Sequence, residues 1–189
     1  MSLPIHDIGP CEVVWGYGES GAIDLGPMLG ATVYKGETHV QDIFEERYGD
    51  APVDAVMIGT VATLEIRMTR STLEQLNEIL NAGGIEGAPP HEYIKMRNQM
   101  SCEMYDLAKS VVIKPICGDV DGVPQTSDDP AEWVQIFKCF PVAGWELTFD
   151  KSTQRVFPVT FKIFVSQESG QVGEFGTLGM PSGSTEYGL

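Results

Sequence analysis

Gly16-Tyr-Gly18-Glu-Ser-Gly21 follows a short apolar run and has the G-x-G-x-x-G spacing that can bring backbone amides up to a pyrophosphate. That chemistry needs the glycines to open a helix whose first amides face the phosphates. The next residues, Ala22-Ile-Asp-Leu-Gly-Pro27, end in a Gly-Pro pair and cannot continue one, so nucleotide binding is set aside. Asp119-Val-Asp121-Gly122 begins like a calcium loop, but its glycine comes early, Val123 stands where an oxygen ligand belongs, and no glutamate closes the pattern. Asp and Gly are ordinary turn formers, so a turn is the simpler reading. His6, His39 and His91 lie in separate contexts, and Cys11, Cys102, Cys117 and Cys139 form no C-x-x-C pair, so no zinc site is encoded locally and buried free thiols are expected. Ser20, Ser71 and Ser182 lack the G-x-S-x-G elbow, and there is no P-loop. Catalysis would need carboxylates converging from distant segments; no catalytic, cofactor or metal set is assigned.

The elements that would position any site read mostly as strands. Cys11 to Trp15 is a short strand, Met28 to Lys35 a second, and Gly36 separates it from Thr38 to Glu45. After the turn-rich Glu46-Arg-Tyr-Gly-Asp-Ala-Pro52, an apolar stretch ends in clear alternation: Ala62, Leu64, Ile66 and Met68 on one face, Thr63, Glu65, Arg67 and Thr69 on the other. The period then changes. Ser71-Thr-Leu-Glu74 has the form of a capping box, Leu73, Leu76, Ile79 and Leu80 make one stripe, and Gly83-Gly84 stops it, which predicts a helix over Thr72 to Asn81. Pro89-Pro90 breaks the next segment, and Met96, Met100 and Met104 recur at helical spacing as a packing stripe. Val111 to Ile113, Trp133 to Phe140, Trp145 to Asp150 and Arg155 to Val165 read as strands, with Asp119 to Pro130 an acidic loop. The expected fold is mostly β, a sandwich or barrel with one short flanking helix and an extended hairpin loop. It is expected as one domain over residues 1–165, with 85–110 an insertion, followed by a Gly/Ser-rich tail over 166–189 that is partly disordered outside its partners.

The chain has 189 residues and a formal net charge of -15, enough for one core and the wrong sign for wrapping DNA or holding an anionic membrane. The acid is concentrated from Met1 to Asp54 and from Asp119 to Asp150, while Glu65 to Lys114 is nearly balanced. Neither a signal peptide nor a membrane-spanning stretch is read, so folding in a reducing cytosol is expected.

The order of elements, with Gly49-Asp-Ala-Pro-Val53-Asp54-Ala-Val-Met-Ile-Gly59 before the alternating strand and Ser71-Thr-Leu-Glu-Gln-Leu-Asn-Glu-Ile-Leu80 after it, resembles the phage major tail tube proteins. The likeness extends to Phe157-Pro-Val-Thr-Phe161-Lys-Ile-Phe164 and to the Gly-rich Gly170-Gln-Val-Gly-Glu-Phe-Gly-Thr-Leu-Gly179, and covers nearly the whole chain. It implies a structural, non-enzymatic virion protein without cofactors, made in the host cytoplasm. Six copies would form a ring, and rings would stack into a tube that conducts DNA without specific binding. Tape measure, tail terminator and distal tail or baseplate proteins would be its other partners. The hairpin tip, Glu46, Arg47, Tyr48, Asp50, Pro52 and Val53, would then meet the neighbouring ring, with Tyr48 as anchor. Glu12, Asp24, Glu37, Asp42, Asp119 and Asp121 are the candidate lumen-facing acids, repelling phosphate so that DNA does not stall. Other readings are the inner tube of a contractile injection particle, or a monomeric β-sandwich module whose aromatics Trp15, Tyr17 and Trp145 form a ligand platform.

Overall fold

A computed structural model describes residues 10–19, 21–26, 28, 30–69, 71–80, 84–95, 103–120, 123–142 and 156–179. The strands are β1 (Cys11–Trp15), β2 (Ile23–Asp24), β3 (Val33–Phe44), β4 (Pro52–Met68), β5 (Ile85–Glu86), β6 (Tyr93–Ile94), β7 (Lys109–Val120), β8 (Val123–Thr126), β9 (Val134–Pro141), β10 (Phe157–Phe164) and β11 (Gly176–Leu178). Among the described residues there is one α-helix, α1 (Leu73–Ile79), which follows β4. The protein is mostly β, as its alternating patterns require.

The main sheet is antiparallel and nine-stranded, in the order β2-β1-β7-β9-β10-β4-β3, with β11 added to β9 and β8 to β7. One face is apolar because the period of two sends Ala62, Leu64, Ile66 and Met68 of β4 and Phe157, Val159, Phe161 and Ile163 of β10 to the same side, where all are buried. A sheet with one apolar face must cover it, and this one curls over itself. Trp15 of β1 lies three strands from Phe161 of β10, yet their rings stand 5.2 Å apart between centroids. Met28, just after β2, bridges to Met68 of β4, so both flanks of the sheet meet around one core.

Helix α1 is too short to hold by itself; Leu76, Ile79 and Leu80 pack against the core, and Gln75 Nε2 donates to Asp24 O (2.6 Å). The capping box is present one residue later than the sequence pattern suggested. Thr72 Oγ1 accepts from the amide of Gln75, whose side chain accepts from the amide of Thr72, because Gln75 makes the reciprocal bond as well as Glu74 could.

Several expectations are corrected. Gly36 does not separate two strands; it lies inside β3, opposite Ala62, since an unbroken ladder outweighs the weak strand propensity of one glycine. The segment from Asp119 is not a continuous loop: β7 runs to Val120 and turns into β8. Asp129 then caps a 3-10 turn, Pro130–Glu132, accepting from the amide of Ala131 (2.9 Å). Residues 166–179 of the expected tail pack on the sheet. Ser166 is buried and β11 pairs with β9; Gly176 permits this, because a Cβ there would come 2.1 Å from Gln135 O. Met104 lies in an exposed turn, not on a helix. Met96 and Met100, like the expected strand Trp145 to Asp150, lie outside the described residues.

Candidate assembly interface

Beyond Val61 the β3–β4 hairpin leaves the core and continues as a two-stranded arm. β4 supplies two register shifts, so that Val40 pairs with Met57, Gln41 with Val56, Asp42 with Ala55 and Ile43 with Asp54, while Phe44 pairs with Pro52. Thr38 and Thr60 hydroxyls share a hydrogen bond at 3.2 Å, and Lys35 pairs with Glu37 at 3.3 Å. Among the described residues, β3 makes no substantial contact with any element except β4.

The arm is exposed on both faces and still rich in apolar side chains. Val40 is 59% exposed, Phe44 59%, Met57 68% and Ile58 66%, with Ile43, Tyr48, Val53, Val56 and Val61 also open. A two-stranded ribbon is marginal in water, and a contiguous exposed apolar surface marks a binding site in a soluble protein. The arm also carries Glu37, Asp42, Glu45, Glu46, Asp50 and Asp54 against Arg47.

The tip residues proposed from sequence come together here. Glu46, Arg47 and Tyr48 form a 3-10 turn in which the amide of Tyr48 donates to Glu45 O (2.9 Å). Asp50 follows in the turn, and Pro52 and Val53 open β4; all are exposed. Sequence reading missed the rows below the tip, Val40, Ile43, Phe44, Val56, Met57 and Ile58. The signal was there: two apolar segments flank one turn, and neither has helical spacing.

The candidate lumen acids do not converge within the subunit. Glu12 and Asp24 lie on β1 and β2 at one flank of the sheet, while Glu37 and Asp42 lie on β3 at the other. Asp119 falls near the end of β7, opposite Pro124, and Asp121 lies outside the described residues. Sequence adjacency could not show this, because strand order differs from chain order.

Burial pushes the Glu12 carboxyl above the usual carboxylate range, with Asp24 adding to the effect and Lys114, opposite it on β7, opposing it. The folded protein therefore keeps the Glu12 proton to higher pH than the unfolded chain. The group is neutral in both states at low pH and opposes folding as pH rises through the raised value. Glu12→Gln is expected to raise the melting temperature near neutral pH and to leave it unchanged below the carboxylate range; thermal unfolding at both pH values checks this.

Other candidate sites resolve into structure. Gly16, Gly18 and Gly21, with φ of 72°, 83° and 102°, form the loop between β1 and β2 and open no helix. Trp15 is buried in the core, so it is not part of an exposed aromatic platform, and Tyr17 packs edge-on against Trp133 (6.1 Å); Trp145 lies outside the described residues. Cys139 is buried and its thiol pushed far up by desolvation, while Cys11 Sγ meets Thr32 Oγ1 at 3.1 Å. Among the described residues, no three His, Cys, Asp or Glu side chains converge as a metal site. An open depression of about 410 Å³ is lined by Trp15, Glu19, Glu78, Lys109, Lys138 and Phe140 among others. Its lysines are engaged, Lys109 with Glu78 (2.6 Å) and Lys138 with Glu168 (2.9 Å). No helix of the described residues is long and apolar enough to cross a membrane.

No protein-family model matches the chain, and no curated protein matches it. The functional reading therefore rests on the arm.

Proposed function

We propose that this chain is a structural subunit that assembles through its arm into rings, and that the rings stack into a tube of the phage tail type through which DNA passes. The observation that carries the reading is the arm itself, a projecting ribbon with apolar side chains open on both faces. Such a surface is stabilised when a partner covers it, and a second copy is always at hand. A contact in which a projection on one copy meets a different surface on the next is heterologous. It closes into a ring or repeats along an axis. The outer edge of β3, unpaired among the described residues, is a second joint of the same kind.

The charge fits a conduit. A wall carrying part of the net charge of -15 repels each phosphate of DNA, so the polymer passes without binding. The inner tube of a contractile injection particle would use the same subunit physics.

Sedimentation over a range of concentrations, followed by negative-stain imaging, tests the proposal. Polymers or rings with a central channel are the expected result. A particle that stays at 20.6 kDa at every concentration overturns it.

A further inference from the structure

The chain is strongly acidic, yet the outward face at the base of the same hairpin carries cations in register. Lys35 of β3 pairs with Thr63 of β4, which pairs on its other side with Lys162 of β10. One row further stand Val33, Glu65 and Thr160, and beyond them Arg67 opposite Pro158. Lys162 and Arg67 are exposed and, among the described residues, have no carboxylate within ion-pair distance. Lys35, Lys95, Lys109 and Lys138 are each paired, and Lys114 lies 4.4 Å over the Trp133 ring. Lys162 also lies 5.9 Å over the Phe164 ring, and Arg47 at the arm tip is likewise without an acid partner among the described residues, but Lys162 and Arg67 are the two that share one face of the sheet.

Resting on the self-assembly reading, we infer that this face of β3, β4 and β10 is the acceptor for the arm of a second copy, with Lys162 and Arg67 receiving the arm carboxylates. β3 is regular through the arm, so Val40, Asp42 and Phe44 share one side, and Met57 joins them as the partner of Val40. That side sets Asp42 among apolar groups and ends beside Glu45 and Glu46. The acceptor offers the complement at its two ends, Lys162 beside the half-buried Phe164 and Arg67 opposite Pro158, with Val33 and the exposed Glu65 in the row between them. Arg67 is four residues along β4 from the Thr63 that faces Lys162, a span of ~13 Å, while Asp42 lies on β3 and Glu46 in the 3-10 turn just past its end.

The arm cannot reach its own acceptor. Tip and base are opposite ends of one ribbon, and folding the tip back would break the β3–β4 ladder. Donor and acceptor are also different surfaces, so the contact is head-to-tail rather than twofold, as a ring or stacked tube requires. A face bearing Lys35, Lys162 and Arg67 is, by the same token, a poor lining for a DNA channel; it belongs in a joint between copies.

The test uses the full chain. Carbodiimide coupling of the assembled wild type, read by peptide mass spectrometry, is expected to join Lys162 to Asp42 or Glu46 of another copy. Arg67→Glu with Lys162→Glu is expected to raise the concentration of half-assembly about tenfold, and adding Asp42→Lys with Glu46→Lys to restore it to within about threefold. All four side chains are exposed, so melting temperatures should not move. Assembly unchanged by the reversal, with no such cross-link in the wild type, overturns the docking assignment and leaves self-assembly standing. A wild type that never assembles overturns both.

Discussion

Excising residues 38–60 and joining Glu37 to Val61 through an Asn-Gly turn is expected to give a folded subunit that no longer assembles. Glu37 and Val61 are directly opposite in the ladder, and Asn-Gly closes a two-residue hairpin with the right twist. Every residue removed is exposed except the half-buried Thr60, so the excision takes nothing from the core, and the melting temperature should stay within a few degrees of the wild type. Assembly depends on the apolar rows of the arm and should vanish at concentrations where the wild type is fully polymerised. The two readouts separate fold from assembly. Polymers from the excised chain would remove the arm from the interface; a variant that fails to fold would show that the ribbon supports the sheet.

The second large effect lies in the core. Phe161 is fully buried and meets Trp15 across the curl of the sheet at 5.2 Å. Truncation to Ala removes an aromatic packing partner and leaves a cavity, which destabilises by about 4 kcal/mol out of a total of roughly 5–15 kcal/mol for a domain. For a chain of this length the melting temperature should fall by about 10 °C. Urea unfolding followed by tryptophan fluorescence measures it, since Trp15 reports on the same site. A loss below about 1 kcal/mol would mean that β1 and β10 do not close on each other. These two changes divide the molecule: the core substitution weakens the fold, whereas the excision spares it and removes the joint.

Much of the fold could be read from local pattern. Ala62, Leu64, Ile66 and Met68 alternate with polar residues, and all four are buried; a period of two dictates a strand with one wet face wherever that strand ends up. The change of period at Thr72 placed the helix to within a residue or two, because capping is a local reciprocal bond. Gly36 was misread because a glycine inside a strand and a glycine between strands look alike until the partner strand is known. The strand in the tail was hidden for the same reason: β11 is three residues long and is held by its neighbour β9, not by its own composition.

The tip of the arm was legible because turn chemistry is local: Glu46, Arg47, Tyr48 and Asp50 sit where Gly49 and Pro52 require a reversal. The rows below it were not, since exposure of Val40 or Met57 depends on whether another element covers them. The grouping of the candidate lumen acids could not be read from the chain order. Glu12 and Asp42 come from one acidic stretch of sequence, yet the strand order sets them on opposite flanks of the sheet.

By itself the sequence determined the strand pattern, the helix and its cap, the turn at the arm tip, and a charge that excludes a DNA-wrapping protein. Each depends on neighbours in the chain or on a sum over it. The tertiary structure alone decided that the hairpin projects with its apolar side chains open, and that Lys162 falls in one row with Lys35, with Arg67 two rows along on the same face. Those facts depend on which strands lie side by side and where the core ends, and pairing between residues far apart in the chain leaves no mark in the order of residues.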